Sequence, residues 1–208
     1  MHHEVTHPCI QHKLALIRDV ETGHKKFREL ATEITMFLCY EALKNVRVRS
    51  IDVQTPLTTA KCHVIDEDIV VIPILRAGVG MLDGILELVP TARVGFVGLY
   101  RDEETKQPVT YYERFPPQIK GGTCIVIDPM LATGGSTAAA IDLLKESGAE
   151  NIVVICIVTC PEGIEAVETA HPDVRIYAAA IDERLNEKKY IVPGLGDAGD
   201  RLFGTSHM

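Results

Sequence analysis

Ile125-Val126-Ile127-Asp128-Pro129-Met130-Leu131-Ala132-Thr133-Gly134-Gly135-Ser136-Thr137 decides how this chain folds. Three β-branched apolar residues in a row read as a strand buried on both faces, which is the habit of a parallel sheet. An acidic residue stands at the strand's carboxyl end. A loop with paired glycines and hydroxyl side chains follows, and then a helix predicted over Ser136–Ser147, with Gly148 as its stop signal. In an open parallel sheet, ligands bind at that edge. Gly134 and Gly135 allow the backbone to come close to a ligand. The N–H groups there, with Thr133, Ser136 and Thr137, can ring a phosphate at the positive end of the helix. Asp128 is placed to accept hydrogen bonds from ribose hydroxyls. A plainer reading is an ordinary helix start capped by Ser136. The order of strand, acid, glycine pair and hydroxyls favours the ligand site. No Gly-Lys-Ser/Thr follows, so this is not a nucleoside-triphosphate P-loop. On the phosphate reading, Gly134→Val should fill the phosphate position and leave folding intact.

Outward from this segment the pattern alternates. Upstream lie a continuous apolar run, Ile69–Leu75, a Gly-rich turn with an apolar helix to about Leu88, and a strand over Arg93–Tyr100. Downstream come a strand over Ile152–Val158, a helix over 162–170 and a strand over 174–181. This alternation predicts an α/β fold with a doubly wound parallel sheet, and residues 1–208 as a single domain. Two helices precede it, over 10–19 and 24–45. The second carries Phe27, Leu30, Ala31, Ile34, Phe37 and Leu38 on one face. Residues 102–117 interrupt the rhythm as a polar, Pro-flanked insertion, with Val109–Phe115 able to pair as a β-ribbon. The Gly-rich tail, Pro193–Gly204, reads as too irregular for a core element. His2, His3 and His207 read as exposed termini.

Composition narrows the function. The net charge of −8 comes without a dense Lys/Arg stretch, which argues against a nucleic-acid partner. No apolar run is long enough to span a bilayer, and the first residues lack an apolar signal core. The six cysteines form no Cys-x-x-Cys pair, and Cys124 and Cys156 fall inside apolar strands, so a reducing, cytoplasmic setting is expected. The eight histidines lack ligand spacing, and no protein-built metal site is expected.

Two more strand ends carry arginine. Pro73-Ile74-Leu75-Arg76-Ala77-Gly78 closes one strand, and Leu99-Tyr100-Arg101-Asp102-Glu103 closes the next. A guanidinium fork suits phosphate oxygens; the plainer reading of each arginine is a surface ion pair, for instance Arg101 with Asp102 or Glu103, but two arginines at two strand ends of one sheet favour the phosphate reading. The final segment is Tyr190-Ile191-Val192-Pro193-Gly194-Leu195-Gly196-Asp197-Ala198-Gly199-Asp200-Arg201. Its Gly-x-Gly-x-x-Gly is no dinucleotide fingerprint, because only nine residues follow Gly199.

Segment 128–136 resembles the phosphoribosyl pyrophosphate motif of type I phosphoribosyltransferases. Most of that family carry two adjacent acids; Pro129 in place of the second matches the uracil-specific branch. The 190–204 segment resembles that branch's base loop, and the likeness extends from about residue 5 to Thr205. The resemblance implies transfer of a phosphoribosyl group to uracil, giving uridine monophosphate and pyrophosphate. It implies catalytic roles for Arg76, Arg101 and Asp128. Donor contacts would come from Arg76, Arg101, Asp128, Pro129, Met130, Leu131, Ala132, Thr133, Gly134, Gly135, Ser136 and Asp197. Uracil contacts would come from Ile191, Gly196, Asp197 and Ala198, the C-terminal base-binding loop. Mg2+ would arrive on the substrate. A homodimer or higher homo-oligomer is implied, and GTP as an allosteric activator, since some relatives respond to it; no separate motif for it is visible. Residues 102–117 either cover the site or pair with a second subunit. Two rivals remain: a phosphoribosyltransferase for another base, differing in the C-terminal loop, and a nucleic-acid-binding regulator on the same fold. No residue presents itself as a general base.

Overall fold

The computed structural model describes residues 1–101 and 108–205. In chain order the elements are β1 (His2–Glu4), α1 (Pro8–Arg18), α2 (His24–Ala42), β2 (Val48–Gln54), β3 (Thr59–Ile65), β4 (Ile69–Leu75), α3 (Val79–Leu88), β5 (Arg93–Val94), β6 (Phe96–Arg101), β7 (Pro108–Arg114), β8 (Thr123–Ile127), β9 (Met130–Leu131), α4 (Gly135–Glu146), β10 (Asn151–Thr159), α5 (Pro161–Ala170), β11 (Arg175–Ile181), β12 (Arg184–Leu185), β13 (Ile191–Val192) and α6 (Ala198–Phe203). The main sheet runs β1-β11-β10-β8-β4-β6-β7, with β5 beside β4 and β9 beside β10. All its pairings are parallel except that of β6 with β7.

The β8 run that opened the sequence reading shows why the sheet is covered on both sides. Ile125 and Ile127 pack on one face with Phe27, Ile34 and Met81 of the N-terminal helices and α3. Cys124 and Val126 pack on the other with Ile141 and Leu144 of α4 and Val167 of α5. Successive strand residues face opposite sides, so only an unbroken apolar run can serve two helical layers. The doubly wound α/β fold holds. From β4 the chain moves to β6 on one side, while β8 joins β4 on the other, so the strand order reverses between β4 and β8. A crevice opens there, at the carboxyl ends.

Several expectations are corrected. The C-terminal segment is not outside the core: Ile191, Leu195, Ala198 and Leu202 are buried in it, and residues 198–203 form α6. Its apolar residues anchor between glycines that make the turns, which hides any periodicity. His2 and His3 belong to β1, an edge strand parallel to β11, although their side chains stay exposed. The strand expected over Arg93–Tyr100 is broken at Gly95, where a side chain would meet Ile72 Cδ1 at 2.8 Å and the Arg114 carbonyl at 2.9 Å. The antiparallel ribbon β2–β3 had no counterpart in the sequence reading; it forms a separate two-stranded sheet. Helix α1 starts at Pro8, with His7 Nδ1 accepting from the Cys9 N–H at 3.2 Å, and α2 stops at Ala42. The expected ribbon within the insertion appears as β7, paired with β6. Of the residues 102–117 expected to cover the site or pair with a second subunit, 102–107 lie outside the described residues.

Candidate functional site

The site grows from adjacent strand ends. In the β4–β8 pairing, Pro73 lies opposite Ile127. Three residues past Pro73 comes Arg76, exposed; one past Ile127 comes Asp128, half-buried. The turn after β4 folds back tightly on the sheet. A side chain at Gly78 would stand 2.4 Å from the Ile127 carbonyl and 2.7 Å from the Ile74 carbonyl, so this position admits only glycine. The Leu75–Arg76 peptide is cis. Arg101 ends β6, and its side chain lies outside the described residues.

Pro129 has a structural account. It lacks an N–H, so the ladder between β8 and β10 stops there. Its carbonyl accepts from both Ile157 and Val158 N–H at 3.1 Å, and the chain rejoins β10 as β9 one step on. The register with β10 is the same on both sides of this break, and Asp128 lies at the crevice, where the Met130 N–H donates to its Oδ1 at 3.2 Å. Leu131 is buried in the core, and its carbonyl accepts from Thr159 Oγ1 at 2.9 Å.

Helix α4 begins at Gly135, and Gly134 is its N-cap at φ +78°. No side chain caps it, which removes the plain Ser136-cap reading: Ser136 lies inside the helix. Thr133, Gly135 and Ser136 are exposed, and Thr137 is buried. An uncapped helix start with exposed N–H groups can hold an anion.

The tail closes the crevice from the other side. A cavity of about 230 Å3 is lined by Asp128, Met130 and Ala132 from the first segment, by Ala77 after β4, and by Ile191, Gly196, Asp197, Ala198 and Gly199 from the tail. Asp197 also caps α6, its Oδ1 accepting from the Asp200 N–H at 3.0 Å. Lys189 and Tyr190 line the same cavity. The sequence reading missed Lys189 and Ala77 as lining residues and took Tyr190 only as the start of the segment. Lys189 has φ +67°, at the tip of the β12–β13 hairpin, where Asn186 Oδ1 accepts from the Lys188 and Tyr190 N–H groups. The one available signal was the asparagine, whose side chain organises a turn.

Burial pushes the Asp128 carboxyl up to about 7, the Met130 N–H opposes the shift, and the negative charge of Asp197 adds to it. The sign of the consequence follows from proton binding. Between about pH 4 and 7 the folded ligand-free chain keeps a proton there that the unfolded chain has lost, so stability falls as pH rises through that window. Asp128→Asn removes this penalty and keeps the Met130 bond. We expect the ligand-free variant to melt higher than wild type at pH 8, with the gap closing toward pH 4. About 1 kcal/mol would appear as about 2–4 °C. A gap independent of pH in melting curves would count against a raised Asp128.

Other titratable groups do not compete for the role. Burial pushes the Cys39 and Cys124 thiols up to about 12, and raises Cys156 and Cys160 as well. Such thiols are poor nucleophiles. Among the described residues, no three His, Cys, Asp or Glu side chains converge as a metal site requires, and no helix is long and apolar enough to cross a membrane.

The comparisons with known proteins fit this geometry. A family model described as uracil phosphoribosyltransferase matches residues 4–205. Proteins named uracil phosphoribosyltransferase from Clostridium perfringens and Geobacillus kaustophilus are 57% and 56% identical, covering 97% and 96% of both chains. A solved structure from Aquifex aeolicus superposes with a TM-score of 0.94 at 39% identity over 100% of both chains. A hypoxanthine-guanine phosphoribosyltransferase of Bacillus anthracis shares the fold at a TM-score of 0.54 and 16% identity, over 76% of this chain and 80% of that one. With the strand-end acid and the C-terminal loop meeting at one cavity, and with this match over almost the full length, the chain belongs to the uracil phosphoribosyltransferase family.

Proposed function

We propose how this chain carries out the reaction of its family with its own residues. The reaction moves the phosphoribosyl group of phosphoribosyl pyrophosphate to uracil, giving uridine monophosphate and pyrophosphate. The observation that carries the reading is the single cavity shared by Asp128 and the 190–199 loop, next to the open start of α4. The ribose and a flat base would lie in this cavity, with the ribose phosphate at the helix start beside it.

The bond from the anomeric carbon to pyrophosphate breaks, the carbon gains oxocarbenium character, and N1 of uracil forms the new bond while losing its proton. The protein's part is positioning and charge stabilisation. Thr133–Thr137 hold the ribose phosphate, and Asp128 accepts from the ribose hydroxyls. Arg76 and Arg101, at neighbouring strand ends, neutralise the leaving pyrophosphate. Mg2+ would come with the donor, since magnesium prefers phosphate oxygens and water and, among the described residues, the cavity offers only the Asp128 and Asp197 carboxylates to it. Gly196, Asp197 and Ala198 face the base, with Ile191 beneath them.

The test is pyrophosphate release over a panel of bases, run on wild type and on Arg76→Ala and Arg101→Ala. Release should require uracil. Each arginine variant should lose about 10- to 150-fold in kcat/KM, the worth of one charged hydrogen bond. Release with any base, or full turnover of both variants at low donor, would overturn the reading.

A homo-oligomer is the natural state for this surface. The β2–β3 ribbon leaves Val48, Val53, Leu57 and Ile65 exposed, and a lone two-stranded ribbon has little stability in water. A groove of about 510 Å3 on the N-terminal helices, with Met36, Phe37, Tyr40 and Leu88, is a second apolar surface for a partner copy. GTP activation remains a proposal from the family alone. Six free cysteines accord with a cytoplasmic setting.

A further inference from the structure

The base loop has no regular structure over 193–197, yet its backbone is held at two consecutive residues by side chains from other parts of the chain. The Gly194 N–H donates to Asp182 Oδ2 at 2.8 Å, and the Gly194 carbonyl accepts from Arg18 Nη1 at 2.7 Å. Arg18 and Asp182 also bind each other in a fork, Nη1 to Oδ2 at 2.8 Å and Nη2 to Oδ1 at 2.7 Å. The Asp182 side chain is 6% exposed and that of Arg18 24%. Asp182 follows β11 directly, and Arg18 is the last residue of α1, so both stand at the ends of regular elements. One residue further, the Leu195 carbonyl accepts from Arg201 Nη1 at 2.9 Å, and the same nitrogen donates to the Ile17 carbonyl at 2.8 Å. The Arg201 guanidinium lies 4.5 Å from the centre of the Phe27 ring. Gly196 and Ala198, which line the cavity, follow immediately.

We propose that Arg18 and Asp182, assisted by Arg201, are positioning residues for base recognition. They touch no substrate and set the place of the 194–198 backbone at the cavity. The proposal rests on the reading of this loop as the base site. A base read by backbone groups meets no side-chain rotamer that can adjust. Any shift of the Gly194 peptide therefore passes straight into the hydrogen bonds two to four residues on. Apart from Asp197, the donor contacts stand on β8, β9, α4 and the ends of β4 and β6, which this clamp does not touch, so the effect should fall mainly on the base.

Two near-isosteric variants test this. Asp182→Asn sets an amide nitrogen against donors that now meet a carboxylate. Arg18→Lys keeps the charge but loses the planar fork that reaches Asp182 and Gly194 together. Both should raise KM for uracil about 10-fold or more, and both should lower the preference for uracil over cytosine. Calorimetric affinity for the magnesium–phosphoribosyl pyrophosphate complex should stay at the wild-type value, and kcat at saturating uracil should change little. Ile17→Val, which thins the core under α1 and leaves the Gly194 bonds alone, serves as the stability control. It should lower the melting temperature without moving KM or base preference. A fall in kcat with KM and preference unchanged would show a general structural role and overturn the proposal. Loss of donor binding in both variants would overturn it too, since the pair would then hold the whole fold. If wild type itself shows no uracil-dependent turnover, the base-loop reading fails instead, visibly and before any variant is compared.

Discussion

Gly135→Val should nearly abolish donor binding while the protein stays folded. A Cβ at Gly135 would meet nothing nearer than Thr133 Oγ1 at 3.9 Å, so the side chain enters the open space above the first turn of α4. That is where the N–H groups of an uncapped helix start would hold the ribose phosphate. Losing two charge-assisted bonds at about 1.5–3 kcal/mol each weakens binding about 10²- to 10⁴-fold. Valine at a helix start costs under about 1 kcal/mol, so melting should change by a few degrees. The neighbouring glycine should behave otherwise, and here the expectation from sequence was wrong. A Cβ at Gly134 points away from the ligand space, 2.7 Å from Ala166 Cβ and 3.0 Å from the Gly163 carbonyl, and the residue sits at φ +78°. Gly134→Val should therefore lower the melting temperature sharply. Calorimetry with the magnesium–donor complex, beside melting curves, separates the two. Wild-type affinity in Gly135→Val would remove the phosphate from the α4 terminus.

Cytosine should be rejected by about 10⁴ relative to uracil, and Ala198→Pro should cripple uracil use while sparing the donor. Uracil shows a carbonyl and an N–H where cytosine shows an amino group and a bare nitrogen. A backbone N–H at Ala198 and a C=O at Gly196 would match the first and oppose the second, and a site that hydrogen-bonds a substrate group discriminates on that scale. Ala198 makes this a clean experiment. It is the first residue of α6, after Asp197 with ψ 110°, and proline is at home at a first helical position after an extended residue. Among the described residues nothing accepts from the Ala198 N–H, so the substitution breaks no bond of the fold. Steady-state kinetics on both bases, with donor affinity measured alongside, is the check. Comparable use of both bases, or an unimpaired Ala198→Pro variant, would refute backbone reading.

The strands and the covering helices were legible because their signals are local. The run 125–127, the apolar face of α2 and the glycine pair at 134–135 each carry their meaning within a few residues. So does Asp128, which strand direction alone puts at the ligand edge. The β2–β3 ribbon was missed although Ala60, Cys62 and Val64 alternate with polar residues along β3 and pair with Val53, Ile51 and Arg49 of β2; it stands apart from the main sheet and buries little, so its apolar signal is weak, and α6 was hidden by the glycines around it. Pro129 read as a departure from a family pattern until the structure showed that it breaks the β8–β10 ladder, its carbonyl accepting from both Ile157 and Val158.

By itself, then, the sequence determined the sheet, its two covered faces and the glycine turn at the end of β8, since these follow from periodicity and short-range order, while the family was read from the resemblance of segments 128–136 and 190–204. Only the tertiary structure decided which way Gly134 and Gly135 face, since that depends on α5 packing behind the loop. It also decided what holds the base loop: Arg18 and Asp182 are 164 residues apart, and Arg201 reaches back to Ile17 across 184. Nothing in a local pattern marks such partners. They meet because burial of α1 against the sheet brings the end of that helix to the end of β11, and a half-buried arginine and a buried aspartate there satisfy each other and the nearest unpaired peptide.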